Sequence, residues 1–202
     1  MSGLKRLAVY CGSAAGADPL FAEAAAELGR EMVRRDIDLV YGGGRLGLMG
    51  IVADTVLEAG GKVFGVIPEA LVAHEVAHLG CTELYTVANM HERKAKMTEL
   101  TDAFVALPGG IGTLDELFEA WTWNALGYHA KPFCLLNIHG FWDGLADFMD
   151  HVRDSGFLSE SHCSRQFLTA FGVRPGEYRA EILGAREGAD QRRVDYWLAE
   201  LQ

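Results

Sequence analysis

The run Pro108-Gly109-Gly110-Ile111-Gly112-Thr113-Leu114-Asp115-Glu116 combines the makings of an anion-binding turn with a carboxylate. It follows an apolar stretch, Ala103 to Leu107, that reads as a buried strand, and it leads into an amphipathic helix expected over Leu117 to Trp123. Glycines at a strand-to-helix turn let backbone amides approach a ligand closely, with no Cβ in the way. The helix that follows aims its free N–H groups and positive dipole end at the same place, which suits a phosphate. Thr113 adds a hydroxyl donor. Glu116 stands one turn into that helix, where an anion binder has no use for a negative charge. A reaction that develops positive charge beside a phosphate does. The alternative is an ordinary turn, with Glu116 as a capping or dipole partner.

A second turn matches the first. Tyr41-Gly42-Gly43-Gly44 follows the short strand Asp38-Leu39-Val40 and precedes a helix expected over Gly47 to Leu57. Two glycine-rich turns at the carboxyl ends of parallel strands are what a nucleotide crevice in an open α/β sheet requires. A further helix, Met90 to Thr101, leads into the strand that ends at Pro108. Met90, Arg93, Met97 and Leu100 share one face of it by helical spacing. Arg93 thus lies in an apolar stripe, where an unpaired guanidinium is costly, and a carboxylate or phosphate partner is expected. Glu116 is within plausible reach. Met90 serves as packing or as a wall for a base. Ser13, on the turn after the first strand, donates to a ligand or caps its own turn.

His74-Glu75-Val76-Ala77-His78 fits the H-E-x-x-H pattern of zinc proteases. Its surroundings argue against zinc. The segment follows a strand ending at Pro68 and is too short for a long active-site helix, and Cys81 and Leu84 stand where the extended pattern has glycine and histidine. Cys11, Cys81, Cys134 and Cys163 show neither metal-type pairing nor a tight framework, so reduced thiols in a cytoplasm are expected. Cys11 reads as a small buried residue rather than a nucleophile.

The elements that carry these residues alternate in type. Strands are expected at Leu7–Cys11, Asp38–Tyr41, Lys62–Ile67, Ala103–Leu107, Pro132–Asn137 and Phe167–Phe171. Helices are expected at Pro19–Arg35, Gly47–Leu57, Met90–Thr101, Trp142–Val152 and Pro175–Leu183, with a last surface or interface helix over Gln191–Gln202. This alternation implies a Rossmann-like α/β fold, an open, mainly parallel sheet with helices on both faces. At 202 residues the chain is expected to form a single nucleotide-binding domain over residues 1–202, burying roughly 70% of its unfolded surface. Half of the residues are hydrophobic and 23% charged, an ordinary globular balance, and the net charge of −10 argues against a nucleic-acid partner. The run Leu7 to Cys11 is too short for a signal peptide, and no stretch is apolar enough to span a membrane.

Taken together, Pro108 to Glu116, the run Gly42-Gly43-Gly44-Arg45-Leu46-Gly47-Leu48-Met49-Gly50 and Met90-His91-Glu92-Arg93-Lys94 resemble the Lonely Guy family over about residues 5–185. Those proteins are cytokinin-activating phosphoribohydrolases, many once labelled lysine decarboxylases. The resemblance implies hydrolysis of the N-glycosidic bond of N6-substituted adenosine 5′-monophosphates, giving the free base and ribose 5-phosphate. It implies a homodimer with the site near the subunit interface, and no metal or organic cofactor. Arg93 and Glu116 become the catalytic pair. Lys94 and the turn Gly109, Gly110, Ile111, Gly112, Thr113, Leu114 and Asp115 become substrate contacts. Glu75 and Thr122 join them on flanking similarity alone.

The chemistry agrees, since cleaving a ribosyl C–N bond develops an oxocarbenium-like sugar that a nearby carboxylate stabilises. Glu116 could meet that charge, hold a ribose hydroxyl or position the attacking water. Plain AMP is a rival substrate, and a non-catalytic nucleotide sensor or carrier is the rival class. A lysine decarboxylase would need a pyridoxal site that no residue here suggests. The segment Trp121 to Leu126 is expected to expose aromatic surface for a partner helix in the dimer.

Overall fold

The computed structural model describes residues 4–72 and 76–158. Strands β1 (Arg6–Tyr10), β2 (Asp38–Tyr41), β3 (Val63–Pro68), β4 (Glu83–Val87), β5 (Ala103–Ala106) and β6 (Phe133–Leu135) alternate with helices α1 (Pro19–Arg34), α2 (Gly47–Glu58), α3 (Met90–Leu100), α4 (Ile111–Ala125) and α5 (Asp143–Asp154). All the strand pairs are parallel, in the order β4-β3-β2-β1-β5-β6. The fold is therefore the expected Rossmann-like sheet.

Alternation along each strand divides the apolar residues between the faces, as the two-residue side-chain period demands. Leu7, Val9, Leu39, Tyr41, Val63 and Val105 pack with α1 and α2 residues such as Leu28, Met32, Val52 and Val56. On the other face Ala8, Tyr10, Val40, Val66, Phe104 and Phe133 pack with Met97, Leu117, Trp121 and Met149. The chain leaves β1 toward one layer and β5 toward the other. The sheet thus opens a crevice at the carboxyl ends of these neighbours, where ligands bind in such folds.

Local chemistry starts the helices. Asp18 accepts from the Leu20 N–H ahead of α1, with Pro19 at the first helical position. Asn89 Oδ1 accepts from the Glu92 N–H at the head of α3, while Glu92 returns to the Ala88 N–H. Helix α4 has neither a side-chain cap nor an acidic residue in its first turn.

Several expectations need correction. Helix α4 begins at Ile111 rather than Leu117, so Gly112 to Glu116 are helical and the turn proper is Pro108 to Gly110. Strand β4 had no counterpart in the sequence reading. It lies at the sheet edge with much of its surface exposed, so it lacks the buried apolar run that marks the central strands. Trp121 is not exposed; it is 6% accessible and lies between Phe118 and Phe133 at ring distances of 5.9 and 5.6 Å. The elements expected over residues 167–202 lie outside the described residues. No helix among those described is long and apolar enough to cross a membrane.

Gly47 opens α2 at φ +57°, and a Cβ there would stand 2.4 Å from Ser13 C and 2.5 Å from Ala14 N. These are main-chain atoms, which leave nothing to yield. Gly47→Ala should lower stability by about 2 kcal/mol or more in urea unfolding.

Candidate active site

Three turns meet at the crevice. The Gly12 N–H donates to Pro108 O at 3.1 Å, and Gly12 O accepts from the Leu48 N–H at 3.0 Å. The turn after β1 is therefore bonded both to the glycine motif after β5 and to the start of α2. Gly109 fits because it lacks a side chain: a Cβ would stand 2.1 Å from Thr113 Oγ1 and 2.9 Å from Gly12 N. Ser13 is exposed beside this junction, and Thr113 is buried in it.

Gly110 and Gly112 differ from these. A Cβ at either position would meet no protein atom within 4 Å, and neither has a positive φ. Packing within the chain gives no reason for glycine there, while close approach of an outside group does. Both are exposed, beside Ile111 at 84% accessibility, at the uncapped end of α4. Free N–H groups and the helix dipole there suit an anion.

Glu116 is the sixth residue of α4, about 7.5 Å along the axis from Ile111. It follows Gly112 and Thr113 by four and three residues, so the three share a helix face, and helical side chains lean toward the N-terminus. Its charge is felt at the end of β1. Burial first, and then the Glu116 carboxylate, push the Cys11 thiol far up, and Tyr10 is raised by the same causes with Glu119 added. Cys11 is thus an inert buried thiol, as its setting suggested.

Arg93 is 4% accessible on α3. Its Nε donates to Val66 O at 3.1 Å and its Nη2 to Gly42 O at 2.7 Å, while Nη1 lies 3.7 Å from Met90 Sδ. The anchors given by these bonds are carbonyls of β3 and the turn after β2, which the apolar stripe did not point to. Sequence spacing could not show them, because they come from segments 27 and 51 residues away. A Cβ on Gly42 would stand 2.2 Å from Nη2, so the guanidinium passes where a side chain would have been. Met90, 36% exposed, forms the outer edge of this spot.

Lys94 ties α3 to α4. It is buried and bonds Asp115 at 3.0 Å and also Glu119. Burial opposes its charge, but the two carboxylates outweigh burial and hold its pKa above the usual lysine value. Glu119 was not anticipated; its four-residue spacing from Asp115 was the available signal. Leu114 packs against the core. Thr122 lies on an exposed stretch of α4, about 9 Å along the axis from Glu116. Glu75 and His74 lie outside the described residues.

His78 has another use than zinc. Its Nε2 bonds Asp54 Oδ1 at 2.9 Å, and its Nδ1 accepts from the Gly80 N–H at 3.1 Å. Neither nitrogen keeps a lone pair for a metal in this arrangement. Among the described residues no cluster of three or more His, Cys, Asp or Glu side chains could hold a metal ion.

A family model described as "Possible lysine decarboxylase" matches residues 49–170. Cytokinin riboside 5′-monophosphate phosphoribohydrolase LOG7 of Arabidopsis thaliana is 51% identical over 158 residues, 78% of this chain and 73% of that protein. The rice (Oryza sativa subsp. japonica) enzyme LOG of the same name is 51% identical over 159 residues, 79% of this chain and 66% of its own length. Among solved structures, TM1055, a structural-genomics target, is similar at TM-score 0.60 and 26% identity, over 89% of this chain and 99% of that one. The molybdenum cofactor binding protein of Rippkaea orientalis shares the fold at TM-score 0.61 and 20% identity, over 91% of this chain and 98% of that one.

The open space at Gly112 yields a test. Gly112→Ala should leave stability unchanged or raise it by about 0.5–1 kcal/mol, since alanine is the better helix former. Calorimetric affinity for a nucleoside monophosphate should nevertheless fall about tenfold or more. Unchanged affinity would place the phosphate elsewhere.

Proposed function

Since the chain belongs to the LOG family of cytokinin riboside 5′-monophosphate phosphoribohydrolases, we infer that it is an enzyme that hydrolyses the N-glycosidic bond of these nucleotides. Water adds to C1′ of the ribose, the C1′–N9 bond breaks, and the products are the free base and ribose 5-phosphate. The observation that carries the assignment of roles is the meeting of opposite demands at one helix end. Uncapped amides and side-chain-free space at Gly110 and Gly112 suit a phosphate, and the Glu116 carboxylate lies on the same face one turn further in.

The 5′-phosphate sits on Gly109 to Thr113 and fixes the sugar, so binding energy far from the reacting bond is used for orientation. Glu116 supplies negative charge where the ribosyl group becomes cation-like. Arg93, held on Gly42 O and Val66 O, orients that carboxylate and stabilises the departing base. Lys94, through Asp115 and Glu119, fixes α4 against α3 beside the substrate. Ser13 and Met90 border the crevice and contact the nucleotide, and Glu75 is a further substrate contact that the resemblance to the family implies. No metal or organic cofactor is needed for this displacement. The sensor or carrier reading is not favoured, because the curated relatives are named as enzymes and the cofactor-binding likeness extends only to the fold.

We place the protein in the cytoplasm, as one nucleotide-binding domain over residues 1–202 that assembles as a homodimer. Exposed Leu126 and Tyr128 beyond the end of α4, at 66% and 75% accessibility, offer apolar surface for the second copy. An exposed Thr122 is a contact that such a copy would bring to the site. Light scattering at micromolar concentration should give twice the chain mass; a monomer would remove the shared-site arrangement.

The decisive variant is Glu116→Gln, assayed by release of free base from isopentenyladenosine monophosphate and from AMP. If the carboxylate meets the developing cation, turnover falls by roughly 10²-fold or more with the fold kept. Were Glu116 only a helix-end charge, the change would cost about 1 kcal/mol or less of stability and leave turnover nearly intact. Arg93→Ala should lose activity comparably, and the double variant should be little worse than either single one. The matching nucleoside, which lacks the phosphate, should react roughly 10²-fold more slowly or worse.

A further inference from the structure

The second histidine of the zinc-like motif belongs to a segment that pairs with the turn on which Arg93 is held. Residues 76–78 pair with the glycine turn after β2: the Arg45 N–H donates to Val76 O at 3.0 Å, and the His78 N–H donates to Gly43 O at 2.9 Å, around a Gly44–Ala77 bridge. Gly43 O faces His78, and the preceding carbonyl, Gly42 O, faces Arg93 Nη2 at 2.7 Å. These are adjacent peptide units, so a tilt of one turns the other. Gly43 has φ +77° and is packed tightly against Ile67, which leaves the turn little freedom of its own.

What fixes the far side is the imidazole. Because Nδ1 accepts from the Gly80 N–H, Nε2 carries the proton and donates it to Asp54 Oδ1 on α2. His78 is 3% accessible, and a Cβ at Gly80 would stand 2.9 Å from its Cε1, so the ring has one setting. Arg45 adds its guanidinium 3.9 Å from the same carboxylate oxygen. Val76 holds φ +48°, a left-handed setting that a β-branched residue rarely adopts, where its own carbonyl accepts from Arg45 and the Ala77 N–H donates to Val72 O.

We propose that the His78–Asp54 pair positions the Gly42–Gly44 turn and, through Gly42 O, the guanidinium of Arg93 for catalysis. The pair touches no substrate; it acts through the main chain of the turn. The proposal rests on the catalytic reading of Arg93 given above.

Asp54, whose side chain is 41% exposed, carries the test, since its removal leaves the core intact. In Asp54→Ala the carboxylate anchor is lost. The expected result is a fall in kcat of about tenfold with KM for isopentenyladenosine monophosphate within about twofold, because the phosphate contacts belong to a different turn. Asp54→Asn keeps an oxygen acceptor for Nε2–H and should recover most of the lost kcat. The double variant Asp54→Ala with Arg93→Ala should be no slower than Arg93→Ala alone. An unchanged kcat in Asp54→Ala, or a fall in thermal midpoint with full kcat, overturns the positioning role while leaving Arg93 catalytic. A further tenfold loss in the double variant overturns the route through Arg93. A wild-type protein that releases no base removes the catalytic reading and this proposal together.

Discussion

The structure depends on the main chain of Gly12. Its N–H is held by Pro108 O and its C=O by the Leu48 N–H, so one residue joins the turn after β1 to the glycine motif and to α2. The surroundings allow no side chain, since a Cβ would lie 2.9 Å from Ala14 O and 3.4 Å from Gly109 Cα. Strand β1 runs between β2 and β5 in the sheet, and their carboxyl ends therefore converge on this residue. Backbone bonds between three turns set the distances in the crevice more rigidly than side chains would, because main-chain atoms have no rotamers to change.

That rigidity lets charges be placed where they are costly. A buried guanidinium must be satisfied, and Arg93 takes carbonyl oxygens from β3 and from the turn after β2. Those carbonyls hold it in place. Lys94, the next residue, is also buried but is matched to Asp115 and Glu119. Successive cations of α3 thus have different tasks: one is held by main-chain carbonyls at the crevice, and the other closes α3 on α4. The carboxylate of Glu116 then sits at the end of β1, where its field reaches Cys11 and Tyr10.

The glycines divide in the same way. Gly12, Gly42, Gly47 and Gly109 are required by neighbouring protein atoms, whereas Gly110 and Gly112 are required by none. The glycine-rich turn after β2, expected as one wall of a nucleotide crevice, uses its residues to admit Arg93 and to pair with residues 76–78. The H-E-x-x-H pattern likewise met a different end, because the hydrogen-bond capacity of His78 goes to Asp54 and Gly80.

The sequence by itself determined the alternation of strands and helices and the parallel sheet, and it singled out the motif from Pro108 to Glu116 and Arg93 as candidates. These follow from local signals: a two-residue period in strands, a 3.6-residue period in helices, and glycines or prolines between them. Strand β4 escaped because an edge strand is half solvated and carries no buried run. The start of α4 was misplaced because glycines in a first helical turn read as loop, being poor helix formers. Only the tertiary structure decided that Arg93 holds Val66 and Gly42 and that His78 holds Asp54, for these partners lie 24 to 51 residues away along the chain. A buried polar group must find a partner, but its sequence position does not say which segment the sheet will bring beside it.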